Sequence, residues 1–167
     1  MTQTHRIWSL AQAIIDKAGA EGMTVATAES CTGGMIAAAL TDVPGSSAVV
    51  DRGFVTYSNE AKAEMLGVPM KLIDENGAVS APVARAMALG ALHASRADIA
   101  VAVTGIAGPS GGTDRKPVGL VWFGLAQRSG LTRVERRVFS EGGRDFVRTK
   151  AVETALHLVL TQLTGTG

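Results

Sequence analysis

The segment Asp98-Ile99-Ala100-Val101-Ala102-Val103-Thr104 constrains the fold most. Its unbroken apolar run predicts a buried strand. The stretch that follows, Gly105 to Thr113, is too rich in glycine for regular structure and predicts a loop. Helical and strand-like segments alternate ahead of this strand. Ile7, Leu10, Ala11, Ile14 and Ala18 recur at helical spacing and predict a helix from about Thr4 to Ala18. Met23 to Thr27 reads as a strand, Ser30 to Gly34 as a turn, and Met35 to Leu40 as a packed helix. Strand, glycine-rich turn and helix in that order point backbone amides at a ligand.

Farther along, Phe54 to Tyr57 reads as the end of a second strand. Ser58 or Asn59 caps a helix that Gly67 and Pro69 close. A short helix covers Met70 to Asn76, and Ser80 caps another with Pro82 in its first turn. Val83, Met87, Ala91 and Ala94 form the stripe that this helix is expected to bury. After the central strand, Val118 to Ala126 and Thr132 to Phe139 predict an antiparallel hairpin, and Asp145 to Leu163 a last helix. The tail from Thr164 to Gly167 is expected to fray. Alternation early and a hairpin late predict an α/β chain, a three-layer α/β/α sandwich with a mixed β-sheet. Nothing resembling a linker or repeat divides residues 1–167, so one domain is expected.

The chemistry has to come from few residue types. Net charge is +1 and aromatics are 4% of the chain, which gives no electrostatic or stacking case for nucleic acid. No apolar run approaches the ~18 residues of a membrane span. The N-terminus shows no signal-peptide pattern, so a cytoplasmic protein is expected. The single cysteine, Cys31, excludes an internal disulfide. His5, His93 and His157 form no metal-binding pair, so neither a metal nor a cofactor is expected. No G-x-x-x-x-G-K-[ST] or G-x-G-x-x-G spacing occurs, although Gly105 to Thr113 can still cradle an anion with its amides.

Hydroxyls and a lysine remain. Lys62 falls in the first turn of its helix, where the dipole disfavours positive charge, and burial would act in the same direction. A neutral lysine there can activate a nucleophile. Ser47, after the Pro44-Gly45-Ser46 turn, is one candidate nucleophile, and Ser30, Cys31 and Thr32 compete with it. Tyr57 can relay a proton to Lys62. Arg144, beside the start of the last helix, suits a phosphate.

Several stretches together resemble the family of the CinA C-terminal domain. They are TAESCTGG (27–34), PGSS (44–47), RGFVTYSNEAK (52–62), GAVS (77–80), TGIAGPSGG (104–112), KPVGLVWFG (116–124) and GRDFVR (143–148). They occur in the family's order over most of the chain. The resemblance implies a three-layer α/β fold, usually self-associated as a dimer. It implies hydrolysis of the carboxamide of nicotinamide mononucleotide to nicotinate mononucleotide and ammonia by a serine–lysine mechanism. By motif, Ser47 is then the nucleophile, Lys62 the general base, and Tyr57 supports proton transfer. Ser30, Thr32, Gly33, Thr104, Gly105 and Arg144 fall in the substrate pocket. The large N-terminal domain carried by many family members is not in this sequence, and its activities are not implied. The rival function is a non-catalytic nucleotide-binding or regulatory module that uses the same pocket.

Overall fold

The computed structural model describes residues 2–165. Its centre is a five-stranded sheet of order β2-β1-β3-β4-β5. The strands are β1 (Val25–Glu29), β2 (Val50–Val55), β3 (Ile99–Gly105), β4 (Leu120–Gln127) and β5 (Thr132–Val138). Strands β2, β1 and β3 run parallel, whereas β3–β4 and β4–β5 are antiparallel, so the sheet is mixed as expected. Helices α1 (Gln3–Glu21), α2 (Met35–Thr41) and α6 (Arg144–Thr164) cover one face. The other carries α3 (Asn59–Leu66), α4 (Met70–Asn76) and α5 (Ala81–His93). None of these helices is long and apolar enough to cross a membrane, among the described residues.

Side chains alternate across a strand, so each strand feeds two cores. Val25, Ile99, Val101, Val103, Val121, Phe123 and Leu125 pack towards α1 and α6. Ala26, Ala28, Ala100, Ala102 and Ala126 pack towards α5. One face is therefore bulky and the other small. The small face lets α5 come close: a Cβ on Gly124 would stand 2.2 Å from the Ala84 carbonyl oxygen.

Most element ends follow local chemistry. Ser58 accepts from Ala61 N at the start of α3, and Ser80 from Val83 N at the start of α5. Gly22 and Gly67, both left-handed, close α1 and α3. Several bounds differ from the sequence expectation, among them β4, which starts at Leu120 and not Val118. Helix α1 continues through Gly19 and stops at Gly22. Strand β1 begins at Val25, two residues later than expected, because Thr24 is held by Asp98 just outside the sheet. Ala94 is the exposed C-cap of α5 and not part of its buried stripe. Strand β2 starts at Val50, after a single 3-10 turn at Ser46–Ala48, and ends at Val55, so Thr56 and Tyr57 lie beyond the strand that was expected to include them. Of the tail, Thr164 is helical and Gly165 caps it, while Thr166 and Gly167 lie outside the described residues.

The connections matter for the site. From β1 the chain passes through α2 to β2 on one side, and from β2 through three helices to β3 on the other. The carboxyl ends of β1 and β3 thus flank a point where the sheet order reverses, the usual place for a ligand crevice in such sheets.

Candidate active site

Ser30 is the first residue beyond β1. Period-two alternation puts it on the same face as Ala26 and Ala28, the face that carries α3. Lys62, one turn into α3, is 1% exposed. Its Nζ lies 3.1 Å from Ser30 Oγ. It also donates to the Thr56 carbonyl at 2.9 Å, with the Tyr57 and Ser58 carbonyls at 3.5 Å. Burial pushes its pKa below the ordinary lysine value of 10.5, with the nearby Cys31 sulfur acting the other way. The result is a desolvated amine in hydrogen-bond contact with a buried hydroxyl. That is the geometry of a general base and a nucleophile.

A cavity of about 300 Å³ opens over this pair. Its floor is Ser30, Cys31 and Lys62, and its far wall is the loop from Gly105 to Gly111. Thr104 closes a side by donating to the Ala78 carbonyl at 2.8 Å. Arg144 and Tyr57 stand at the rim. Arg144 Nη1 donates to the Gly108 carbonyl at 2.8 Å, and Nη2 to the Tyr57 hydroxyl at 3.2 Å. The Tyr57 hydroxyl therefore meets Arg144, and only its carbonyl approaches Lys62.

Cys31 sits beside Ser30 but is a poor nucleophile. Burial pushes its thiol up to about 12, so the reactive thiolate is scarce near neutrality. Its role is packing.

Thr32 and Gly33 are near the pocket without lining it. Thr32 is buried, and Gly33 takes φ 58° in the turn. Both belong to the bend that carries the chain from Ser30 into α2, and only glycine takes this left-handed φ without strain. Gly105 ends β3 in tight packing, with an added Cβ 2.8 Å from Val121 and 3.1 Å from the Cys31 sulfur.

Ser47 is not brought to Lys62. It is exposed on the 3-10 turn before β2, beside the start of β1, where Val25 pairs with Val50. Lys62 lies beyond the other end of β2. Six strand residues at ~3.3 Å each separate the two by roughly 20 Å. No proton can pass directly over that span.

Two supporting residues escaped the sequence reading. Glu29, fully buried, accepts from Ile36 N at 2.9 Å and Ala37 N at 3.0 Å. It ties the first turn of α2 to the strand end that presents Ser30. Arg148 donates to the Cys31 carbonyl at 3.0 Å and the Thr32 carbonyl at 3.4 Å. A carboxylate six residues ahead of a helix start was a usable signal for the first. For the second the signal was an arginine four residues after Arg144, on the same face of the helix.

A sequence profile of the CinA C-terminal domain matches residues 8–163. The chain belongs to the CinA C-terminal domain family. It is 55% identical over 143 residues to the nicotinamide-nucleotide amidohydrolase PncC of Escherichia coli K12, covering 86% of each chain. A putative competence-damage inducible protein of Symbiobacterium thermophilum is 53% identical over 164 residues, which are 94% of this chain but 38% of that one. The crystal structure of the competence/damage inducible protein CihA from Agrobacterium tumefaciens superposes with a TM-score of 0.92 at 52% identity, covering 95% of this chain and 96% of that one. Family membership and the three-layer fold thus agree, as the motifs implied.

Proposed function

We propose that this protein is a nicotinamide-nucleotide amidohydrolase in which Ser30 and Lys62 form the catalytic pair. The observation that carries the mechanism is the buried 3.1 Å contact between Ser30 Oγ and Lys62 Nζ at the floor of a cavity of about 300 Å³. The substrate class rests on the similarity to PncC. The motif-based assignment of Ser47 is replaced for the physical reason given above: it lies at the wrong end of β2.

The substrate carboxamide enters over Ser30. Neutral Lys62 removes the Ser30 proton as Oγ attacks the amide carbon, and a tetrahedral adduct forms. Lys62 then passes that proton to the departing nitrogen, the C–N bond breaks, and ammonia leaves. Water, deprotonated by the same amine, attacks the acyl carbon; Lys62 returns that proton to Ser30 Oγ as the ester bond breaks, and nicotinate mononucleotide leaves. The cationic pyridinium withdraws electrons from the carbonyl and disfavours a second positive charge on Lys62. Arg144 and the glycine-rich loop at the rim receive the phosphate. Tyr57, whose hydroxyl accepts from Arg144, sets that guanidinium at the mouth in place of the proton-relay role expected for it. Ser30 and Thr104 contact the reacting end, while Thr32, Gly33 and Gly105 hold its backbone.

The same proposal takes residues 1–167 as one catalytic domain, acting as a dimer in the cytoplasm without cofactor. The buried unpaired Cys31 suits a reducing compartment. Light scattering checks the dimer. Ammonia release from nicotinamide mononucleotide tests the function itself. Turnover of the nucleotide, with free nicotinamide left intact, is expected. Tight nucleotide binding with no ammonia would leave a binding module in place of an enzyme.

A further inference from the structure

Helix α6 sends two arginines, Arg144 and Arg148, one turn apart, towards the same end of the sheet. Arg144 reaches the rim of the cavity. Arg148 touches nothing in the cavity: it donates Nε to the Cys31 carbonyl and Nη2 to the Thr32 carbonyl. These are the carbonyls of the two residues that follow Ser30. We propose that Arg148 is a positioning residue, whose fork of donors fixes the turn after Ser30 and so holds Oγ in line with Lys62. The inference rests on the Ser30–Lys62 reading above.

The turn needs such a fixture. Its own bonds are sparse: Gly33 N donates to the Ser30 carbonyl and Met35 N to the Thr32 carbonyl, both at 3.1 Å. Upstream, the strand end is held on both sides, since Ser30 N donates to Val103 O at 3.0 Å and Thr56 N to Glu29 O at 2.8 Å. Downstream, Glu29 secures α2. Between these anchors the Cys31 carbonyl has one partner among the described residues, and it is Arg148. A guanidinium presents its donors in a fixed plane, so two neighbouring carbonyls are set together in one orientation. Because a peptide is planar and trans, fixing the Cys31 carbonyl also fixes the Thr32 N–H, which points the opposite way. The positive charge further polarises both peptides. Gly33 is shaped to this arrangement, since a Cβ there would lie 3.3 Å from Arg148 Nη2.

The test is steady-state kinetics on Arg148→Ala, Arg148→Gln and Arg148→Lys, with thermal melting alongside. A nucleophile displaced by an ångström loses roughly a hundredfold in rate. Arg148→Ala is therefore expected to lower kcat by about that factor with KM little changed. Arg148→Lys keeps the charge but not the fork, and should recover only part of the loss. Methylguanidinium added to Arg148→Ala should restore part of kcat, and it should not help Arg148→Lys. If Arg148→Ala does not fold, the Gln and Lys variants decide, because both keep a long side chain in the space. Wild-type kcat in all folded variants would overturn the inference. So would a loss confined to melting temperature or to KM. An inactive wild-type protein would instead overturn the amidohydrolase reading, which keeps the two failures apart.

Discussion

Ser30 and Ser47 look alike in the sequence. Each sits in a short turn with small neighbours and precedes a stretch of regular structure. In the fold they occupy opposite ends of the sheet. Ser30 follows β1 and meets a desolvated lysine. Ser47 precedes β2, faces solvent, and lies near the amino end of β1. What separates them is the direction of the parallel strands. In a parallel sheet every segment that follows a strand gathers at one edge, and every segment that precedes a strand gathers at the other. Ser30 after β1, Tyr57 and Lys62 after β2, and Gly105 at the end of β3 share an edge for that reason.

The sharpest way to break this contrast is to delete each hydroxyl. Ser30→Ala is expected to lower ammonia release by at least about a thousandfold, the scale seen when a nucleophile is removed from a cooperating set. Persistent turnover would return the nucleophile to another residue. Lys62→Met should lose activity on a similar scale. Its melting temperature should shift little, because relief of the buried amine's desolvation offsets the loss of its bond to the Thr56 carbonyl. Differential scanning calorimetry reads that second outcome, and a large fall in melting temperature would count against it.

A pH profile sharpens the contrast without mutation. The Lys62 pKa lies below 10.5, so the neutral base is lost as pH falls through that lowered value. Activity should drop on the acid side and level off above it. The stability sign is the same. Between the lowered pKa and 10.5 the unfolded chain binds the proton that the native state has released, so stability rises with pH over that window. A flat rate profile on the acid side would remove Lys62 as the base. Glu29→Gln is a milder perturbation. It replaces one acceptor oxygen that serves an α2 amide and should cost about 1–3 kcal/mol in denaturant unfolding. Ser47→Ala should change least, staying within about 0.5 kcal/mol in stability and keeping wild-type ammonia release.

Much of this was legible before the fold was seen. The run at Ile99–Val103 gave a buried strand because no polar residue interrupts it. Ser58, Ser80, Gly22 and Gly67 marked helix ends through chemistry that operates locally. Lys62 was a candidate base for an equally local reason, its place in a first turn, and its burial became visible only in the fold. The choice of serine was not local. It depended on where β2 begins, and only the last residues of that strand were apparent, because Asp51, Arg52 and Gly53 interrupt the apolar pattern of an edge strand. Had β2 been read back to Val50, strand direction alone would have put Ser47 at the far edge. Arg148 and Glu29 were hidden for a related reason. The α2 amides and turn carbonyls that they bind are backbone groups, so only the position of each charged residue, and not the identity of its partner, could point to it.

The unequal faces of the sheet have a consequence for how this protein can change. Towards α1 and α6, valine, isoleucine, leucine and phenylalanine fill the space, so a substitution there that errs will err by leaving a hole. Towards α5, alanine and Gly124 bring backbone against backbone, so an error there will be a collision. Holes can be refilled by a neighbouring side chain, whereas a collision with a main-chain carbonyl has no such remedy. Sequence drift should therefore be more constrained on the α5 side of the sheet than on the other. Because Ser30 and Lys62 are both mounted on the more constrained side, the distance between them inherits that protection.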